Sequence, residues 1–278
     1  MIIVKLMGGL GNQMFQYAAA RGLADRHKTE VVLDLSWFRQ DFDETITPRK
    51  YELNCFTLDS KTRKLSGSVK VKLMLKLATK YREPHHHYDP LFQKLPKNCE
   101  LLGYFQCEEY FKDSRSNLLD DFTWTSPPSH KNAIVLEQIL QDSKSVSVHV
   151  RRGDYISNIT AAKYHGTANV DYYYAAIEKI SKQEKRPNLY IFSDEPDWCK
   201  KNLKFTQPTE YISHNENGSE DMRLMVACRH NIIANSSFSW WGAWLNQNEH
   251  KMVIAPKQWF LHGESNAKDV IPKSWQKI

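Results

Sequence analysis

The sequence predicts an α/β protein made of two parallel-sheet, Rossmann-like domains facing a cleft, and three observations carry that reading. Short β-branched runs alternate with amphipathic stretches of about 10 to 15 residues, the pattern of strands joined by crossover helices. Two such series occur, on either side of a Pro-rich stretch at Thr125 to His130. In each series a glycine or arginine cluster follows the first strand, where open α/β sheets bind their ligands.

Met1 to Met7 reads as a strand, followed by a glycine loop and a helix over Asn12 to His27 with Phe15, Ala19 and Leu23 in register. Glu30 to Leu35 is a second strand. Arg39 to Leu102 is polar, basic and poorly periodic, and reads as helices and loops. In the second series the expected strands are Ser145 to Val150, Leu189 to Ser193, Asn231 to Ala234 and Met252 to Ala255. The helices expected between them are Asp171 to Glu184 and Glu220 to His230. Asp171 suits the cap of the first, and Ser219, Glu220 and Asp221 suit the amino end of the second. The expected domains are therefore residues 1–130 and 131–278.

Composition narrows the class. A chain of 278 residues with 41% apolar content can bury a sizeable core. Five cysteines, Cys55, Cys99, Cys107, Cys199 and Cys228, are an odd number without C-x-x-C spacing, which argues against a disulfide framework or a zinc site and fits a reducing cytosol. No apolar run approaches the roughly 18 residues of a membrane span. Met1 to Ala20 reads as strand, turn and helix rather than as a signal peptide, since Lys5, the glycines, Asn12 and Gln13 interrupt it. The net charge of +6 is uneven: Lys61, Arg63, Lys64, Lys70, Lys72, Lys76, Lys80 and Arg82 fall within 22 residues that hold no acid. Val69, Leu73, Leu77 and Tyr81 between them lie on one helical stripe, so the segment reads as a face for an anionic membrane surface, or else as an ordinary solvated helix. Nothing else resembles a nucleic-acid module. The expected location is cytoplasmic, peripheral to the inner face of the cell membrane.

The most informative stretch is His149-Val150-Arg151-Arg152-Gly153-Asp154-Tyr155, at the carboxyl end of Ser145 to Val150. Adjacent guanidinium groups there can grip a phosphate in bidentate fashion at any physiological pH. His149 and Arg151 are two residues apart on a strand and share a face. Asp194 ends the next strand, level with Arg151 if the two are neighbours; it contacts a nucleotide or caps a helix. Asn235-Ser236-Ser237-Phe238-Ser239 places small polar side chains where a strand passes into a helix, an arrangement that exposes N–H groups to a diphosphate. Trp240, Trp241 and Trp244 read as packing for that helix.

Gly9 and Gly11 after the first strand, with Asp34 closing the second, partly match a dinucleotide fingerprint, but Met14 stands where its third glycine belongs. A nicotinamide-dependent oxidoreductase is therefore the weaker reading. What survives is a glycine turn at a helix amino end. Asp41-Phe42-Asp43 and His85-His86-His87 look like metal ligands, but the first lies outside a clear strand end and consecutive histidines diverge. Neither is assigned a metal.

Three motifs carry a family resemblance. The arginine segment is similar to the signature shared by α-1,2-, α-1,6- and protein O-fucosyltransferases. Gly8-Gly9-Leu10-Gly11-Asn12-Gln13-Met14-Phe15-Gln16-Tyr17-Ala18 and Asn235-Ser236-Ser237-Phe238-Ser239-Trp240-Trp241-Gly242 resemble motifs of the α-1,2-fucosyltransferases, glycosyltransferase family 11. The resemblance implies a GT-B architecture and an inverting transfer of L-fucose from GDP-β-L-fucose to the 2-hydroxyl of a β-galactoside. The glycan acceptor, a lipid-linked one included, would lie on the amino-terminal half and GDP-fucose on the carboxyl-terminal half. Arg151 would be the principal phosphate contact and Arg152 a secondary one. Gly11, Asn12, Asp194, Ser237, Phe238 and Ser239 would complete the donor site. Asp154 and then His149 are the candidates for a catalytic base. GDP-fucose is the donor substrate and no cofactor is expected. Another fucosyl linkage stays open, because the arginine motif is common to the superfamily.

Overall fold

The computed structural model describes residues 1–42, 47–65, 75–153, 166–261 and 268–278. It comprises two compact units, Met1–Ser126 with Asn266–Pro272, and Pro127–Ser265 with Lys273–Ile278. The division at residue 130 therefore moves to Ser126–Pro127, and a stretch assigned to the second domain returns to the first. In that return, the Asp269 carboxylate accepts the Tyr88 N–H at 3.0 Å. A contact so distant along the chain leaves no local pattern to read.

In the first unit, β1 (Ile2–Lys5), β2 (Val31–Asp34), β3 (Arg63–Lys64), β4 (Thr79–Arg82) and β5 (Cys99–Leu102) form a parallel sheet in the order β3-β2-β1-β5-β4. Ile2, Ile3 and Val4 are fully buried, as a central strand covered on both faces requires. Helix α1 (Leu10–His27) crosses between β1 and β2 and stops at Lys28, whose φ of 50° is left-handed. Gln13 and Gln16 are fully buried on it, and their amides fasten the loops around its amino end. Gln13 Nε2 donates to the carbonyls of Gly8 (2.8 Å) and Lys50 (2.9 Å). Gln16 accepts the Met7 N–H (2.9 Å) and donates to the Gly103 carbonyl (3.2 Å). A shorter helix, α2 (Arg115–Asp121), supplies Asp121, which accepts from Tyr17 Oη and Arg21 Nε at 2.8 Å each.

The region read as helices and loops, Arg39 to Leu102, holds short helical turns at Leu53–Cys55 and Pro90–Lys94 but also, among the described residues, the strands β3, β4 and β5. Nor is Lys61 to Arg82 one amphipathic helix: Arg63–Lys64 pair with β2, and Thr79–Arg82 with β5. Val69, Lys70, Lys72 and Leu73 lie outside the described residues. Short edge strands with mostly exposed side chains carry no buried face, so their period of two is invisible beside the basic residues.

The second unit begins with α3 (His130–Gln141) and holds β6 (Ser145–Val150), β7 (Asn188–Ser193), β8 (Thr209–Ile212), β9 (His230–Ile232), β10 (Val253–Ala255) and β11 (Gln276–Lys277). All are parallel, in the order β11-β10-β9-β6-β7-β8. Helix α4 (Val170–Ser181) covers one face, where Tyr173, Ala176, Ile177 and Ile180 pack with Val146, Val148 and Val150. Its cap is Asn169, which accepts the Tyr172 N–H at 2.8 Å, rather than Asp171, which lies in the first turn. Helices α3 and α6 (Gly218–Ala227) cover the other face through Val135, Ile139, Leu224 and Met225. Helices α5 (Pro196–Asn202) and α7 (Ser237–Leu245) follow β7 and β9.

A buried polar chain locks α7 onto this sheet. Asn231 Nδ2 donates to Ser147 Oγ (2.7 Å) and to the Met225 carbonyl (2.9 Å), while its Oδ1 accepts from Asn246 Nδ2 (2.8 Å). Each donor is satisfied, which is what makes amides tolerable in a core. The five cysteines are free thiols. Among the described residues no helix is long and apolar enough to cross a membrane.

In both sheets the strand order reverses beside the first strand. In the first unit the reversal lies between β1 and β5, and in the second between β6 and β9. Such switch points open a crevice at the strands' carboxyl ends, the place where ligands of open α/β sheets bind.

Candidate functional site

Arg151 leaves β6 and Asn235 follows β9, so the arginine motif and the Asn-Ser-Ser motif flank the second unit's switch point. The register Val150↔Ser193 brings the end of β7 level with the end of β6. Asp194 there meets Arg151, Nη1 to Oδ2, at 2.9 Å. Its other oxygen accepts the Arg152 N–H at 3.0 Å. Asp194 thus orients the arginine, a role that the order of residues along the chain does not reveal. A Cβ on Gly153 would sit 2.4 Å from Asp194 Oδ2, so only glycine admits this carboxylate. Arg152 points elsewhere. Its Nε donates to Glu195 (3.1 Å) and its guanidinium lies 3.6 Å from the Trp198 ring centroid, which makes it a brace for α5.

His149 is buried beneath the site, its ring centroid 5.5 Å from that of Phe238. Burial, and then the charge of Arg151, push its pKa down to about 3. The imidazole is therefore neutral at physiological pH and a poor proton acceptor, which suits hydrogen bonding better than base catalysis. Asp154 lies outside the described residues.

After β9, Ser236 caps α7 in extended conformation (φ −137°) without a side-chain cap, leaving the first-turn N–H groups of Ser237, Phe238 and Ser239 to a ligand or solvent. Ser237 and Phe238 are half-buried, but Ser239 is fully buried and its Oγ lies 3.3 Å from the Ser236 carbonyl and 3.5 Å from that of Ala234. Its hydroxyl holds the turn, and only its backbone is a candidate donor. Trp240 and Trp241 are fully buried and Trp244 nearly so, as packing residues should be. Gly242 is also a packing residue: a Cβ there would approach Met225 of α6 to 3.1 Å.

One group escaped the sequence reading except as a helix-end residue. Asp221, in the first turn of α6, has its carboxyl pKa pushed up to about 6 by burial, with a further push from Glu220 against a hydrogen bond from Asn215. That bond, Asn215 Nδ2 to Asp221 Oδ1, measures 2.8 Å. Behind it, fully buried Asn132 donates to Asn215 Oδ1 (2.7 Å) and Glu220 Oε2 (2.8 Å) and accepts from His214 Nε2 (2.7 Å). Because Nδ2 makes both donor contacts, Oδ1 must be the acceptor and His214 carries its proton on Nε2. Two adjacent acids opening a helix after a strand were the available signal; Asn132 gave none.

In the first unit, Gly11 and Asn12 open α1 at the switch point. Gly8 has φ of 76°, and a Cβ on it would meet Asn12 Nδ2 at 2.7 Å. Asn12 Oδ1 accepts from Gln106 Nε2 at 2.9 Å. Asp34 Oδ1 caps the following turn by accepting the Ser36 N–H at 2.8 Å. Met14, where the third glycine of a dinucleotide fingerprint belongs, is fully buried. His85 and His87 stack at 3.4 Å between centroids, and no group of three or more potential metal ligands occurs among the described residues. Asp43 lies outside them.

A preoriented arginine and open helix N–H groups at the switch point of a parallel sheet suit an anionic ligand, and the comparisons give the class of protein: a glycosyltransferase. The chain belongs to glycosyl transferase family 11, whose model matches residues 1–278. It is 33% identical over 294 residues to the alpha-1,2-colitosyltransferase of Escherichia coli, covering 100% of this chain and 98% of that protein. It is 35% identical over 302 residues to the O-antigen biosynthesis glycosyltransferase WbnK of Escherichia coli, covering 97% and 98%. Among solved structures, the fucosyltransferase NodZ from Bradyrhizobium superposes with a TM-score of 0.52 at 12% identity, covering 87% of this chain and 92% of that one. That likeness shows the fold, which is α/β of the GT-B type.

Proposed function

We propose that this protein transfers L-fucose from GDP-β-L-fucose to the 2-hydroxyl of a β-galactoside within a glycan, with inversion to an α-1,2 linkage. The observation that carries the reading is Arg151, fixed by Asp194 at the switch point of the second unit. As the C1–O bond breaks, the sugar gains oxocarbenium character and negative charge gathers on the departing diphosphate. A preoriented guanidinium and the first-turn N–H groups of α7 stabilise that charge. His149, neutral and buried, packs beneath the site against Phe238. The relatives named for α-1,2 transfer and for O-antigen biosynthesis support the linkage and a glycan acceptor. The test is incubation with labelled GDP-fucose and a panel of β-galactosides, with NMR of the product linkage. A second reading, in which a colitosyl group is transferred, is favoured by the colitosyltransferase relative, so nucleotide-linked colitose belongs in the same assay.

Arginine supplies the counter-charge in this scheme. Transfer is therefore expected to persist in excess EDTA. Loss of activity that Mn²⁺ or Mg²⁺ restores would instead promote Asp41 and Asp43.

Asp221 is proposed to accept N–H groups of the guanine base, a task for a carboxylate rather than a carboxylic acid. With its pKa near 6, the acceptor is ionised above that pH and protonated below it. GDP affinity should fall as pH drops through about 6, and Asp221→Asn should weaken binding and flatten that profile. Calorimetric titration across pH 5 to 8 checks it; an identical pH profile in the variant would remove Asp221 from the base site.

A further inference from the structure

The first unit carries a second constellation of polar groups at its own switch point. Glu83 follows β4, and the turn Gly103 to Gln106 follows β5, the strand beside β1. Glu83 Oε2 accepts the Tyr104 N–H (2.7 Å) and the Phe105 N–H (3.1 Å), and Oε1 accepts the latter as well (3.1 Å). Those contacts occupy three of the roughly four acceptor positions that a carboxylate offers. The approach is built into the sequence: a Cβ on Gly103 would lie 2.4 Å from Glu83 Cβ and 2.7 Å from Oε2. Phe105 is held at φ of 53°, a region that a bulky side chain rarely adopts and that marks functional turns when it persists. Gln106, next along, donates to Asn12 of the glycine loop at 2.9 Å. Tyr104 keeps 36% of its surface exposed in the middle of this turn.

A carboxylate, an amide and an exposed aromatic ring form the chemistry that recognises a sugar. Charged acceptors make short, strong bonds to hydroxyls, amides serve as donor and acceptor together, and an aromatic ring covers the apolar C–H face. We propose that Glu83, Tyr104 and Gln106 form a subsite in the first unit for a pyranose of the acceptor glycan. Glu83 receives one sugar hydroxyl at its remaining acceptor position, and Tyr104 packs against the ring. This rests on the glycosyl-transfer reading above and names where its acceptor binds. Burial pushes the Glu83 carboxyl up to about 7, against the opposing pull of the Phe105 and Tyr104 N–H groups and of His85. The phenols of Tyr81, Tyr104 and Tyr110 also feel its charge, and each is held above its ordinary value, so they stay neutral where Glu83 titrates. Acceptor binding should accordingly strengthen as pH rises through about 7, where the carboxylate forms.

The experiment uses the whole chain with GDP-fucose as donor and lactose as acceptor, and reads kcat and KM for lactose separately from GDP affinity. Glu83→Gln keeps a carbonyl for the turn's N–H groups and removes the charge. It should raise the lactose KM about 10-fold or more, the loss expected for a hydrogen bond to a charged group. It should also flatten the pH dependence of KM and leave GDP affinity unchanged. Tyr104→Ala keeps the backbone N–H and should raise the lactose KM likewise; it decides the matter if the Glu83 variant does not fold. An unchanged lactose KM in both folded variants, or a parallel loss of GDP affinity, overturns the subsite. A wild-type protein that binds GDP but transfers to no β-galactoside overturns the transfer reading, and this subsite with it.

Discussion

Replacing Arg151 by Ala is expected to lower turnover by about 10²- to 10³-fold, the range for losing one preorganised donor of charge stabilisation. GDP affinity should weaken by about 1.5–3 kcal/mol, the worth of a charge-assisted contact. Arg151 reaches its position because β6 and β7 are in register and Asp194 grips Nη1, and removing it also strands that carboxylate. Arg151→Lys should recover little, since an ammonium cannot span Asp194 and a phosphate with a planar fork. Steady-state kinetics and calorimetric GDP binding on folded protein measure both effects. Full activity in Arg151→Ala would sink the proposed leaving-group chemistry. By contrast, Arg152→Ala should chiefly loosen α5, because its contacts are Glu195 and Trp198.

The largest stability effect is expected at Trp241. It is fully buried and sits edge-on to Trp240 (5.1 Å between centroids) and Trp244 (5.0 Å). Truncating so large a core side chain costs about 3–5 kcal/mol. Trp241→Ala should therefore lower the denaturant midpoint strongly, while whatever fraction remains folded still binds GDP. If GDP or glycan binding is lost and the midpoint stays put, the indole is a ligand platform rather than the anchor of α7.

What could be read from the sequence follows physical range. Strands β6 and β7 and helix α1 emerged close to their observed bounds, because buried elements repeat apolar residues with a period that needs no distant information. The arginine pair and the Asn-Ser-Ser turn were legible for a related reason: the ends of strong strands are themselves legible, and α/β sheets put their chemistry there. Where periodicity failed, so did the reading. Edge strands β3 and β4 expose most of their side chains, so a basic helix was expected where β-pairing occurs.

The sequence by itself determined the fold class, the positions of the switch-point loops and the residue types there that suit an anion. Tertiary structure alone decided what each of those residues does. Asp194 and Arg151 lie 43 positions apart along the chain and meet only through strand register. Burial makes His149 a neutral ring and raises the Asp221 and Glu83 carboxyls, and a side chain's depth is not written beside it in the sequence. Ser239 and Arg152 carry the right chemistry for a phosphate, yet the packing turns the hydroxyl of one and the guanidinium of the other toward the protein itself. Periodicity is a property of neighbours along the chain, whereas orientation and proton affinity belong to neighbours in space.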